Sequence, residues 1–266
     1  MKSLQPEAKI HRDKAEAELN SEDDSRLEYA ALSLRKSIEY LAYDRLNAYH
    51  KEINLDIYET WQPGKVVKHL LELDPNAMVE QTLSIAINDE LLPIQERDYK
   101  EIGIEKPISM TILKKPYNSL GSYLHAPIIK KIKAGNSVDF AKLRALCIKI
   151  LTEIDRVLSS TMWSTAIGDF SSFKCSRCKQ SSIFRELNDE ESRKVWCSSC
   201  NAPHTAYLDN KREERVKPHM KTLVCKTEGC EFIHELWEDE FQYEKQFDCE
   251  ECRALFRYIY SVQPLR

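Results

Sequence analysis

Eight of the nine cysteines in this 266-residue chain form a grid confined to its last third. Cys175 and Cys178 are followed after 18 residues by Cys197 and Cys200, and Cys225 and Cys230, again after 18 residues, by Cys249 and Cys252. Three positions of the second set repeat the first at an offset of 52, while Cys225 stands two residues early because its turn opens to C-x4-C. Two close pairs at this separation bring four thiolates to one point when a hairpin folds them together, which is the pattern of a tetrahedral zinc site. The spacing predicts two small zinc ribbons, over 173–208 and 219–263. Four sulfurs leave no coordination position for water, so both Zn2+ ions are expected to be structural. Four disulfides would need an oxidising compartment. The charged opening MKSLQPEAKIHRDKAEAELNSEDD lacks the apolar segment of a secretion signal. A rubredoxin-like iron site is disfavoured by Ser176, Arg177 and Lys179 where Pro and Gly would be expected. His204 and His234 lie near the grid but are surplus to an all-thiolate shell.

Only 6 glycines and 31% charged residues suggest a helix-rich main body. No run approaches the roughly 18 apolar residues of a membrane span, and reduced metal-binding cysteines point to the cytoplasm. The formal charge is −4; eight thiolates and two Zn2+ shift it by −8 + 4, another −4. That balance argues against a globally basic nucleic-acid binder. Charge is uneven, however, with nine Lys or Arg against one acid between Lys106 and Lys149. Lys114, Lys115, Lys130, Lys131 and Lys133 are therefore candidates for a local nucleic-acid or partner-binding face, with lysines dispersed over several solvated faces as the alternative.

Leu27, Ala31, Leu34, Ile38 and Leu41 recur at steps of three and four, predicting an amphipathic helix from Asp24 to about His50, with Asp23 or Asp24 as its cap. Arg35 and Glu39 lie four apart and can pair. Helical patterns are also read over Lys65–Leu73, Asn76–Ile87 and Tyr117–Lys133, and from Ser137 to about Trp163. Ile108–Leu113 reads as extended. Cys147 sits on the last helix's apolar stripe and is expected to be a buried apolar residue, not a nucleophile. From Ile183 onward, strands alternate in the hairpin manner, and Ala254, Phe256, Tyr258 and Tyr260 share one face of the last strand. The predicted class is α+β, an N-terminal all-α helical bundle over 1–166 followed by the two β zinc ribbons.

The helix containing EYAALSLRKSIEYLAYDRL, the later YNSLGSYLH and the long closing helix together resemble the HEPN superfamily, in its divergent bacterial branch. The likeness covers roughly residues 20–163. It implies a four- or five-helix core, frequent homodimerisation, association with defence or stress systems and, in active members, metal-independent ribonuclease activity from an Arg and a His with four to six residues between them. Arg45 and His50 have that spacing, but Leu46 follows the Arg where a polar residue is usual, and on one helix the two point about 140° apart. Asn118 and His125 share a helix face with Ser122, and Gly121 leaves room for a close partner, but no Arg precedes them. In such a site His125 would serve as base and Arg35, Arg45 or Lys115 as the cation that steadies the phosphorane.

No P-loop, dinucleotide-binding, metalloprotease or nucleophile-elbow motif is present. Two functions follow. One is a non-catalytic or weakly catalytic binding or adaptor protein of a bacterial defence or stress system, whose helical domain dimerises or holds a partner while the ribbons recognise protein, RNA or DNA. The other is a metal-independent endoribonuclease.

Overall fold

A computed structural model describes residues 2–87, 97–126, 129, 133, 138–163, 166, 168–188 and 190–259. The chain divides into two compact units: 1–50 with 56–167, and 51–55 with 168–266. N-terminal helices precede small antiparallel sheets, so the architecture is α+β.

In the first unit the described helices are α1 (Gln5–Leu19), α2 (Leu27–Ala48), α3 (Pro63–Leu73), α4 (Met110–Leu113), α5 (Lys115–Tyr123) and α6 (Phe140–Leu158). Helix α2 is the axis, with α1, α3, α5 and α6 all packed on it. Its stripe explains why: Leu27, Ala31, Leu34 and Ile38 are fully buried and Leu41 nearly so. The stripe meets Leu143, Cys147, Ile150 and Ile154 of α6, and Leu120 of α5, in one core. Cys147 is buried there as expected, and desolvation pushes its thiol up to about 12, so it carries no thiolate at neutral pH. Asp23 accepts from the Ser25 amide at 2.9 Å in the turn that precedes α2.

Helix α1 has a modest buried face of Ala8, Ala15 and Leu19. Its ends are completed by its neighbours. Asp44 of α2 accepts from the Leu4 amide at 2.7 Å, at the N-terminus, and Arg144 of α6 donates to the Leu19 carbonyl at 2.6 Å, at the C-terminus. Both are groups that a helix leaves unsatisfied on its own.

The first unit is not all-α. Strand β1 (Gln81–Ala86) lies where Asn76–Ile87 reads as helical, and pairs antiparallel with β2 (Tyr99–Glu105), with an irregularity at Leu83/Ser84. Ile108–Leu113 contains α4 instead of an extended segment, and α6 begins at Phe140 with Asp139 as cap, accepting from the Lys142 amide at 2.9 Å. Ser137, the predicted cap, lies outside the described residues, as do Lys130 and Lys131.

The second unit holds β3 (Phe170–Lys174), β4 (Ser181–Arg185), β5 (Ser192–Trp196), β6 (Pro203–Leu208), β7 (Glu214–Pro218), β8 (Met220–Val224), β9 (Ile233–Trp237), β10 (Gln246–Asp248) and β11 (Leu255–Arg257). They form the antiparallel sheets β3-β4, β5-β6-β7, β8-β9 and β10-β11. The segment KREERVK supplies a third strand to the first ribbon in addition to joining the two. The aromatic face of the last strand packs within its own ribbon, with Phe247 stacked on Phe256 at 5.5 Å and on Tyr258 at 4.8 Å. Tyr260 lies outside the described residues.

Candidate metal centres

Each cysteine pair occupies the turn of a hairpin: 175/178 between β3 and β4, 197/200 between β5 and β6, 225/230 between β8 and β9, and 249/252 between β10 and β11. Three turns repeat one hydrogen-bond scheme. The amide after the second cysteine donates to the carbonyl of the first (Lys179 to Cys175 at 3.0 Å, Asn201 to Cys197 at 2.9 Å, Arg253 to Cys249 at 2.9 Å). The first cysteine's amide donates two residues beyond the second (Cys175 to Gln180, Cys197 to Ala202, Cys249 to Ala254). Closing the turn this way puts Lys179, Asn201 and Arg253 at φ of 66°, 58° and 62°, in the left-handed region. The longer C-x4-C turn has its left-handed residue at Gly229, φ 80°, inside the loop.

The eight sulfurs gather into two sets of four, each within 4.8 Å, and either set can hold a metal ion. Across the first set, Cys175 and Cys200 stand 3.7 Å apart and Cys178 and Cys197 3.6 Å; across the second, Cys225 and Cys252 stand 3.7 Å apart and Cys230 and Cys249 3.9 Å. Four sulfurs about 2.3 Å from a tetrahedral centre are about 3.8 Å from one another, whereas a disulfide needs about 2.05 Å. Within each set the thiols are driven apart in acidity: burial and the neighbouring sulfurs push Cys200 and Cys230 up to about 12, while one donor of each set is strongly favoured as the anion. At Cys197 burial works to raise the thiol, but the Ser182 hydroxyl at 3.4 Å and the Ser199 and Cys200 amides outweigh it, leaving the group at about 6. Cys252 is also brought to about 6, chiefly by the Thr227 hydroxyl at 3.5 Å and then the Ala254 amide.

His204 joins neither set of ligands. It is buried, with Nδ1 2.9 Å from the Ala202 carbonyl and Nε2 accepting from the Ser176 amide at 3.2 Å, so its ring ties together the two turns of the first centre. With Nδ1 as donor and Nε2 as acceptor it is neutral, in keeping with burial that lowers its pKa. His234 is buried in the second ribbon between Phe232 and Phe247. Sequence reasoning missed the clasp between the ribbons: the Arg177 guanidinium lies 4.4 Å over the Trp237 ring and donates to both oxygens of Asp239, at 2.6 and 2.8 Å.

The residues considered for catalysis are dispersed. Arg45 is buried, paired at 2.8 Å with Glu105 and donating to the Ala77 carbonyl at 2.7 Å and the Tyr49 hydroxyl at 3.2 Å; that hydroxyl in turn donates to Asp74 at 2.8 Å. His50 has Nδ1 2.9 Å from the Asn47 carbonyl. Asn118 and His125 are exposed. Lys114, Lys115, Asn118 and Ser122 line one shallow depression that His125 does not line. Lys133 is exposed.

Gly121 does leave room for a partner, which is Arg35 of α2. Its guanidinium donates to the Tyr117 carbonyl at 3.1 Å and hydroxyl at 2.9 Å, and Tyr117 donates to Glu39 at 2.6 Å. The Arg35–Glu39 pair spans 3.9 Å, with the tyrosine bridging it. A Cβ at Gly121 would sit 2.5 Å from Arg35 Nη1. Gly→Ala inside a helix ordinarily gains about 1 kcal/mol. Here it displaces two hydrogen bonds worth roughly 1 kcal/mol each, so G121A is expected to destabilise the protein by about 1 kcal/mol in denaturant titration. In an Arg35→Ala background the same change should stabilise it; equal effects in both backgrounds would contradict this account.

Comparison with family models, with curated proteins and with solved structures gives no match. The class of the protein therefore rests on its fold and site: a helical unit followed by a β unit built on two four-cysteine centres.

Proposed function

We propose that this chain is a non-catalytic binding or adaptor protein. The two four-sulfur centres hold structural Zn2+ and make the second unit a rigid recognition module for protein or nucleic acid. The helical unit over 1–166 serves dimerisation or partner binding, and its resemblance to HEPN proteins suggests a bacterial defence or stress system in the cytoplasm. Among the described residues no helix is long and apolar enough to cross a membrane. One observation carries the reading: each centre presents four thiolates, a full tetrahedral set with no open position for a reacting water. The thiolate turns also favour Zn2+ over harder cations, which prefer oxygen donors.

The helical unit supports the same conclusion. Arg45 is committed to Glu105 and Tyr49 in the core, where it cannot reach a phosphate without breaking a buried ion pair. The alternative, a metal-independent ribonuclease, draws on the depression lined by Lys114, Lys115 and Asn118. Incubating RNA with the protein in chelator-free, magnesium-free buffer separates the two. No cleavage above background is expected from the wild type. Cleavage abolished by His125→Ala or His50→Ala would replace the adaptor reading with the nuclease.

A further inference from the structure

The outward face of the sheet β5-β6-β7 carries cations and aromatic rings in register. Directly opposed residues share a face, so Ser192, Tyr207 and Arg215 form one row and Lys194, Thr205 and Lys217 the next, with Trp196 at the end of β5 beyond Lys194. The intervening residues Val195, His204 and Ala206 are buried on the opposite side. Lys217 lies 5.1 Å over the Tyr207 ring and Lys194 5.8 Å over that of Trp196. Ser192, Thr205, Tyr207, Arg212 and Lys217 line a depression on this face, with Glu191 and Asp209 also at its wall.

The cations of this region have internal counterions. Glu238, from the second ribbon, pairs with Lys194 and lies 3.5 Å from both Lys221 and His219, while the adjoining Asp239 holds Arg177. Arg215 is paired with Asp209 and Glu213 at the far edge. Two consecutive carboxylates thus occupy Lys194, Lys221 and Arg177 much as successive phosphates would. The Lys217 ammonium rests on an aromatic ring and can swing to an incoming phosphate as a base takes its place on Tyr207. Aromatic faces beside a cationic track are how single strands are held without sequence preference, because every base has a π-face.

We propose that this sheet face binds single-stranded nucleic acid through Lys194, Trp196, Tyr207 and Lys217, with Glu238 as a built-in competitor for Lys194. The proposal rests on the binding-module reading and names the ligand class of that module. A peptide would use the same cations only if acidic, and would have less use for the rings.

The test is fluorescence anisotropy on the full chain with labelled oligo-uridine, oligo-thymidine, a DNA duplex and poly-glutamate over a salt series, with zinc measured on every sample. Either single strand should bind more tightly than the duplex or poly-glutamate. Tyr207→Ala should weaken binding by at least about five-fold, and the exposed charge reversal Lys217→Glu should do likewise if the ring substitution disturbs folding. Glu238→Gln should tighten binding, and Lys194→Ala should flatten the dependence of log K on log salt by about 0.7. Zinc-loaded wild type that binds no single strand, or whose binding ignores these substitutions, overturns the proposal and leaves the module reading standing. Preference for duplex or for poly-glutamate also overturns it, in favour of that ligand. A wild type that holds no zinc overturns the module reading and the proposal together.

Discussion

Stripping metal from the protein with a strong chelator is expected to unfold the second unit and leave the helical unit folded. The reason is the scarcity of apolar burial in the ribbons. The first ribbon's core is Phe173, Phe184, Leu187, Val195 and Ala206, with Leu208 and Val216 partly covered. The second ribbon leaves Val224, Ile233, Leu255 and Ile259 more than half exposed. Cores this small do not offset the conformational entropy of the strands, and under the structural-zinc proposal metal binding supplies the difference. Structural zinc contributes an apparent 10–16 kcal/mol at neutral pH in small domains of this kind. The measurement is titration of released zinc alongside circular dichroism and tryptophan fluorescence. Two zinc per chain should appear, the fluorescence of Trp196 and Trp237 should change, and the helical signal should persist. Cys197→Ser and Cys252→Ser should each lower the content by one zinc. A second unit that stays folded without metal would sink the structural-zinc assignment.

Arg45→Ala should be among the most destabilising single substitutions in the helical unit, by roughly 3–5 kcal/mol, because it removes the Arg45 counterion of a carboxylate buried in the core. The side chains of Arg45 and Glu105 are only 5% and 6% exposed, so water cannot take over the lost interaction. The Ala77 carbonyl and the Tyr49 hydroxyl lose a donor as well. At about 2–4 °C per kcal/mol for a domain of this size, the melting midpoint should fall by roughly 6–20 °C. Arg45→Met combined with Glu105→Leu should be milder than Arg45→Ala alone, since the Glu105 charge leaves the core together with its counterion. If Arg45→Ala melts like the wild type, the buried pair is not what holds α2 to the β1–β2 hairpin.

What could be read beforehand follows from how local each signal is. The thiolate grid was legible because ligand chemistry is written in short spacings. The α2 stripe was legible because a long helix repeats its apolar residues every turn. The β1–β2 hairpin was misread: QTLSIA is short, and its partner strand begins 18 residues after β1 begins, so the pairing that makes it a strand is invisible to local periodicity. Arg45 invited a catalytic reading because its spacing to His50 matched a motif, while the residue that commits it to the core, Glu105, lies 60 positions away. Gly121 marks space for a neighbour in the sequence, but only packing decides that the neighbour is Arg35.

From its sequence alone, then, this protein was bound to have two four-cysteine clusters in its last third and a helical core strung along the Leu27–Leu41 stripe. Those follow from coordination geometry and helical period, both properties of neighbouring residues. Tertiary structure alone decided that Arg45 is sealed against Glu105, that α1 takes its caps from Asp44 and Arg144, and that Glu238 and Asp239 of one ribbon lie on the cations of the other. Each of these depends on charges or hydrogen-bonding groups far apart in the chain, whose partners are settled only when the backbone brings them together and excludes water from around them.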